Sequence, residues 1–247
     1  MQRNITIGLV VPFAKDDIPA EGPLMYPHVK FISRGVGVTS LTPAGYEAAA
    51  ERVVPAAEAL ARQGVDAIMV IGGSLTFYRG YDSHQNLLEK LRTATGLPVS
   101  TMSAAMVDGL QSVGARRIAV STAYADEVNN LLRTFLTSSG FEVLALEGFG
   151  IVRFGQAGNK SEADIIALSK RAYAEAQDAE GMLISCGGLR TLGVAELIER
   201  DCRIPVVSST QAAFWSALRL AGESGFLSGF GRMLEQSTTP AASLQNN

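Results

Sequence analysis

The chain has 247 residues, 47% of them apolar and 18% charged, with a formal net charge of -3. That suffices for one large or two small domains around a sizeable core, and it is too apolar for disorder. Without a basic patch, an apolar run of ~18 residues or a signal-peptide pattern, the composition speaks against nucleic-acid and membrane partners and for a cytoplasmic protein.

The first element is "ITIGLVVP", Ile5 to Pro12, a short β-branched run that reads as a buried strand. A loop rich in proline and glycine follows, to about Ser40. "TPAGYEAAAERVVPAAEALARQG" reads as a helix, with Thr42 as N-cap, Pro43 at the first helical position and Gly64 as the stop. Pro55 falls inside it and is expected to kink it. "VDAIMVIGG" is the next strand, "SHQNLLEKLRTATG" a helix, and "LPVST" a strand. "SAAMVDGLQSVG" is a helix expected to be capped by Ser103 and stopped by Gly114.

The pattern then restarts. "RRIAVSTAY" reads as a strand, "ADEVNNLLRTFLTSSG" as a helix and "FEVLALEGF" as a strand. "KSEADIIALSKRAYAEA" is a helix, "EGMLISCGG" a strand, "TLGVAELIERD" a helix, "IPVVSS" a strand and "TQAAFWSALRLAG" a helix. The last residues, "QSTTPAASLQNN", lack periodicity and read as a loose tail. Alternating strands and helices call for parallel sheets covered on both faces.

The two runs repeat each other. "GLPVSTMSAAMVDGLQSVG" and "RIPVVSSTQAAFWSALRLAG" match in residue type, and each follows a strand ending in a glycine turn. One turn is Gly72-Gly73-Ser74 and the other Cys186-Gly187-Gly188, so Cys186 falls on Gly72. The expected fold is α/β, two pseudo-symmetric halves each with a small parallel sheet flanked by helices. The halves span 1–114 and 115–235, with terminal elements free to exchange between them, and 236–247 is the tail. Ligands of open α/β sheets bind at the carboxyl ends of strands. Gly72 and Cys186 are therefore expected to flank one cleft. Two cysteines, Cys186 and Cys202, form no disulfide framework and fit a reducing compartment. His28 and His84 stand in no metal-ligand spacing, and no metal is expected.

Two-half α/β chains with a cysteine at a repeated strand end resemble the aspartate/glutamate racemase superfamily. With one cysteine only, together with "GGSLTFYRG", "STAYADEVN", "SCGGL" and "PVVSS", the chain is similar to the arylmalonate decarboxylase branch, from about Ile5 to Leu234. The resemblance implies cofactor-free, enantioselective decarboxylation of an α-aryl or alkenyl α-substituted malonate, a small dicarboxylate. Its enediolate would be protonated by Cys186 on one face, and Gly72 would leave the other face without a thiol.

The resemblance further implies a cradle of donors around the retained carboxylate: the backbones of Gly73, Ser74 and Gly187, and the hydroxyls of Ser74 and Tyr124. The family's threonine in this turn is replaced by Gly73, which loses a hydroxyl. Pro12, Val38, Leu41, Leu75, Phe154 and Ala157 are expected to form the apolar wall, with Tyr46 and Phe13 as further lining candidates. The loop "IVRFGQAGNK" departs from the family pattern, so pocket shape does not carry over. A helix N-terminus beside Cys186 would lower the thiol pKa, and bound dianion would have to raise it again. Cys202, between Asp201 and Arg203, reads as structural. Two alternatives stay open. One is an isomerase or racemase of the superfamily (maleate, hydantoin or amino acid) with a non-thiol second acid–base group. The other is a noncatalytic small-acid binding protein. The oligomeric state is left open.

Overall fold

The computed structural model describes residues 4–236. The tail expected at 236–247 falls outside the described residues except for Gln236. In the first half, β1 (Thr6–Val11), β2 (Lys30–Gly35), β3 (Ala67–Val70) and β4 (Val99–Thr101) form a parallel sheet in the order β2-β1-β3-β4. In the second, β5 (Arg117–Tyr124), β6 (Glu142–Ile151), β7 (Gly181–Ser185) and β8 (Val206–Ser208) form another in the order β6-β5-β7-β8. The two orders are the same topology, so β3 and β7 hold equivalent places. Both strands are buried along their whole length, as expected of parallel strands covered on two faces.

Helices close the sheets. After β1 come α1 (Glu21–Met25), then α2 (Pro43–Ala50) and α3 (Val53–Ala61); α4 (Gly73–Phe77) and α5 (Tyr81–Thr95) lie between β3 and β4, and α6 (Met102–Ser112) follows β4. The second half adds α7 (Asp126–Ser138), α8 (Glu162–Ala174), α9 (Val194–Cys202), α10 (Ser209–Leu220) and α11 (Arg232–Glu235). Among the described residues no helix is long and apolar enough to cross a membrane.

Several expectations shift. The helix expected over 42–64 is two helices, α2 and α3, parted at Glu51 and Arg52. Thr42 caps α2 by accepting from the Gly45 N–H at 3.2 Å. The cap of α6 is Thr101, which accepts from the Ala104 N–H, and not Ser103. Ser103 is instead buried inside the helix and bonded to the first glycine turn. The segment expected as loop up to Ser40 contains α1 and β2.

The halves are locked together by α10. It comes from the second half of the chain but packs on α6 and on β3 and β4 of the first sheet. Its residues from Ser209 to Leu218 are all buried. Burying side chains of the size of Phe214 and Leu218 contributes roughly 1.5–3 kcal/mol each.

Candidate active site

The polypeptide leaves β3 through Ile71 and Gly72 and enters α4 at once, with Gly72 at φ 108° and ψ 86°. That conformation is strained for any residue with a Cβ, which is a physical reason for glycine here. The Thr76 and Ser103 hydroxyls lie 3.0 and 2.9 Å from the Gly73 carbonyl and 2.6 Å from each other, so one donates to that carbonyl and the other to its fellow hydroxyl. The turn is thus fixed from behind. A Cβ at Gly73 would lie 3.3 Å from Met106 Cε, so Met106 occupies the space that a side chain there would need.

The equivalent turn after β7 carries Cys186, also at positive φ, 154°. Its N–H donates to the Ser209 hydroxyl at 3.2 Å, which ties the turn to the start of α10. The chain then makes a turn and an irregular stretch and does not become helical until Val194. The expectation of a helix N-terminus directly beside Cys186 is therefore corrected. Burial is the largest influence on the thiol and pushes its pKa up to about 11, against smaller lowering by the Gly188 N–H, the Tyr124 hydroxyl and the Leu189 N–H. At neutral pH the thiol is protonated without any help from a bound anion.

The two turns adjoin. A Cβ on Gly187 would meet Met102 Cε at 3.2 Å and Ile71 Cγ2 at 4.0 Å, and Ile71 is the residue before Gly72. Tyr124, at the end of β5, has its ring 6.0 Å from that of Phe77 on α4. Burial raises the Tyr124 phenol pKa well above the ordinary tyrosine range, and the thiol of Cys186 and the phenol of Tyr46 add to this; the Ser185 and Ser74 hydroxyls act the other way. Ser74, Tyr124, Cys186 and Tyr46 are thus neighbours, and all four are buried.

The expected apolar residues gather round the same place. A Cβ on Gly72 would lie 3.6 Å from Leu75 Cβ and 3.7 Å from Pro12 Cβ. The Val38 N–H donates to the Pro12 carbonyl at 2.8 Å. Leu41 N–H donates to the Val152 carbonyl at 2.7 Å, and Ser40 bridges to Arg153, so a loop of the first half is stitched to one of the second. Phe154 sets its ring 6.2 Å from Phe13, edge to face. Ala157 abuts Gly188, whose Cβ would lie 3.2 Å from Ala157 Cβ and 3.7 Å from the Cys186 sulfur. A depression of about 360 Å³ is lined by Val53, Val54, Leu75, Thr76, Tyr78 and Asn86, from α3, α4 and α5 and the residue after α4.

Sequence reasoning missed Ser185, Ser209, Thr76 and Ser103. Each acts through another residue at the turns, and a serine or threonine on a helix or strand carries no signal of that. The paired "STMS" and "SSTQ" segments after β4 and β8 were the available clue. Cys202 sits at the end of α9, and burial raises its pKa.

A pair of matched parallel sheets whose third strands end in facing turns, one bearing a buried thiol, defines a two-half α/β enzyme of the aspartate/glutamate racemase type. A family model described as arylmalonate decarboxylase matches residues 7–234. The arylmalonate decarboxylase of Bordetella bronchiseptica is 42% identical over 233 residues, covering 94% of this chain and 97% of that one. The chain belongs to the arylmalonate decarboxylase family and is a carboxy-lyase. A crystal structure of an arylmalonate decarboxylase double variant, glycine to cysteine and cysteine to serine, in liganded form superposes with a TM-score of 0.93 at 40% identity. It covers 95% of this chain and 100% of that one. A maleate isomerase of Nocardia farcinica is 26% identical over 252 residues, covering 96% and 98% of the two chains.

Proposed function

We propose that this enzyme decarboxylates α-aryl or alkenyl α-substituted malonates without a cofactor and delivers one enantiomer of the monocarboxylic acid. The observation that carries this reading is the buried Cys186 at the end of β7, where the equivalent strand end of the first half carries Gly72; burial pushes the thiol pKa up to about 11. The substrate dianion loses CO2 when its Cα–carboxyl bond breaks and the electron pair passes into the retained carboxylate, forming an enediolate. Cys186 then gives its proton to Cα, and the resulting thiolate recovers a proton from water.

Donors aimed at the retained carboxylate lower the barrier because charge grows there as the bond breaks. Ser74 and Tyr124 supply hydroxyls, and Gly73, Ser74 and Gly187 supply backbone N–H groups. The apolar wall of Pro12, Val38, Leu41, Leu75 and Phe154 receives the departing CO2, in surroundings that solvate a carboxylate poorly. Proton delivery from the Cys186 side alone sets the product configuration.

An isomerase working through a thiolate nucleophile fits less well. A thiol with a pKa near 11 supplies little thiolate at neutral pH. The test is to incubate the enzyme with methylphenylmalonate and resolve the 2-phenylpropionate on a chiral column. One enantiomer with stoichiometric CO2 is expected; absent CO2 or racemic product overturns the reading. Dialysis against a strong chelator should leave the rate unchanged, and a loss restored by a divalent metal would overturn the cofactor-free step.

A further inference from the structure

We propose that Ser209 is a positioning residue for the proton donor. With the Thr191–Ser208 hydroxyl pair it clasps the Cys186 turn in the one conformation that aims the thiol at a single face of the substrate carbon. This rests on the decarboxylase reading of the same site.

The repeat supplies the comparison. Val70 pairs with Thr101 and Ile184 with Ser208, in each case two residues before Gly72 or Cys186. The first residues of α6 and α10, Met102 and Ser209, therefore hold the same place relative to the two turns. In the first half that place carries a methionine, which has no hydroxyl. In the second it carries a serine whose hydroxyl accepts from the Cys186 N–H at 3.2 Å. The fastening serine stands in the half that has the thiol.

The helix caps differ in the same sense. Thr101 caps α6 by accepting from the Ala104 N–H. Ser208 stands at the matching position before α10 and makes no side-chain cap bond. Its hydroxyl lies 2.6 Å from that of Thr191, in the non-helical stretch that follows Cys186. A serine at this position ordinarily satisfies a free N–H of the first helical turn. Here both hydroxyls at the start of α10 are turned to the cysteine turn instead, and Thr191, Ser208 and Ser209 are all buried.

The turn needs such fastening because of its backbone. Cys186 has φ 154°, a region that glycine enters freely and a residue with a Cβ enters at a cost. Gly72 at φ 108° carries no side chain and escapes that cost. Strain of this kind persists only where the surroundings over-determine it. Around Cys186 they do. Its N–H is held by Ser209, its carbonyl accepts from the Leu189 N–H at 3.1 Å, and Thr191 pins the far end of the turn. Without the clasp the turn relaxes, the Cα–Cβ bond swings with φ, and the sulfur leaves its line to the substrate carbon. A misplacement of about 1 Å at a reacting group costs on the order of 10²-fold in rate. The enediolate then takes its proton from water, on either face.

The test begins with Ser209→Ala. With methylphenylmalonate, kcat should fall about 10- to 100-fold while KM stays within about threefold. The 2-phenylpropionate should contain a minor enantiomer that the wild type does not make. Ser209→Thr keeps the hydroxyl and should recover kcat to within about fivefold of wild type, with a single enantiomer. Thr191→Val, which leaves Ser209 in place, should lower kcat by about 3- to 10-fold. Iodoacetamide labelling of Cys186, read by peptide mass, should run about tenfold faster in Ser209→Ala than in the wild type, because the turn opens. A folded Ser209→Ala protein that loses thermal stability alone, with kcat, product configuration and labelling rate unchanged, overturns the proposal. If Ser209→Ala does not fold, a Thr191→Val protein with full kcat and a single enantiomer overturns it. A wild type that releases no CO2, beside a Ser209→Ala variant that still labels faster, overturns the decarboxylase reading and leaves the clasp standing.

Discussion

The turn after β3 and the turn after β7 begin at the same place in the same topology and diverge within two residues. Gly72 passes straight into α4, whose first turn has backbone N–H groups without partners inside the helix. Cys186 is followed by a non-helical stretch up to Val194, and burial is the largest influence on its thiol. The first turn is braced through the carbonyl of Gly73, by Thr76 and Ser103. The second is braced through the N–H of Cys186, by Ser209. A duplicated frame can thus divide labour: on the proposed reading one turn holds negative charge and the other holds a proton. The same split runs through the neighbouring strand ends. β1 is followed by Pro12, which on that reading is an apolar wall, whereas β5 ends in Tyr124, which on that reading is a donor.

The sharpest way to break this comparison is Cys186→Ser. A hydroxyl is a far weaker acid than a thiol, and decarboxylation should fall ~10²- to 10⁴-fold with the fold retained. A rate within a few-fold of wild type, measured by CO2 release, would show that the proton does not come from this turn.

Gly72→Cys tests the symmetry from the other side. A Cβ there meets Leu75 and Pro12 only at ordinary contact distances, from 3.6 Å outward. The positive φ is the obstacle, and it should destabilise the protein by about 1–2 kcal/mol. Circular dichroism should still show a folded chain. With two opposed thiols, the variant should racemise 2-phenylpropionate, and it should lose that gain when Cys186 is also changed to serine. A folded single variant without α-proton exchange, read by deuterium incorporation, would mean that the turns do not face one carbon.

The junctions after β4 and β8 differ in a way that pH reveals. Thr101, the cap of α6, bonds buried His84 at 2.7 Å, whereas Ser208 before α10 bonds Thr191 at 2.6 Å and titrates nowhere. Burial, with Arg92 nearby, lowers the His84 pKa to about 4. A depressed folded pKa adds stability above the unfolded value near 6.5, and this is lost as pH falls toward 4. From pH 7 to pH 5 the loss should be about 2 kcal/mol, seen by urea unfolding and absent in a folded His84→Gln variant. An equal loss in that variant would assign the acid sensitivity to other groups.

Most of the frame was legible because parallel strands buried on two faces are short apolar runs, and "AIMV" and "GMLIS" are such runs. β2 was not, because "KFISRG" is an edge strand paired only with β1 and partly exposed, so its residues carry no unbroken apolar signal. The helix α4 was hidden by its five residues and opening glycine. Ser103 has the residue type of a cap, but Thr101 reached the position first and Ser103 turned inward to the Gly73 carbonyl. At the site, the repeat exposed Gly72 and Cys186, and the resemblance brought Ser74 and Tyr124. The expected depression of the thiol pKa did not hold, since it depended on a helix start that the sequence does not place there.

The raised thiol pKa has a bearing on how this protein survives. At pH 7 a thiol with a pKa of about 11 is ionised in roughly one molecule in ten thousand, against about three in a hundred for a free cysteine. Peroxides and alkylating agents attack the thiolate. The burial that keeps the Cys186 proton in place therefore also conceals its sulfur from oxidants, so iodoacetamide should label it far more slowly than it labels glutathione at the same pH.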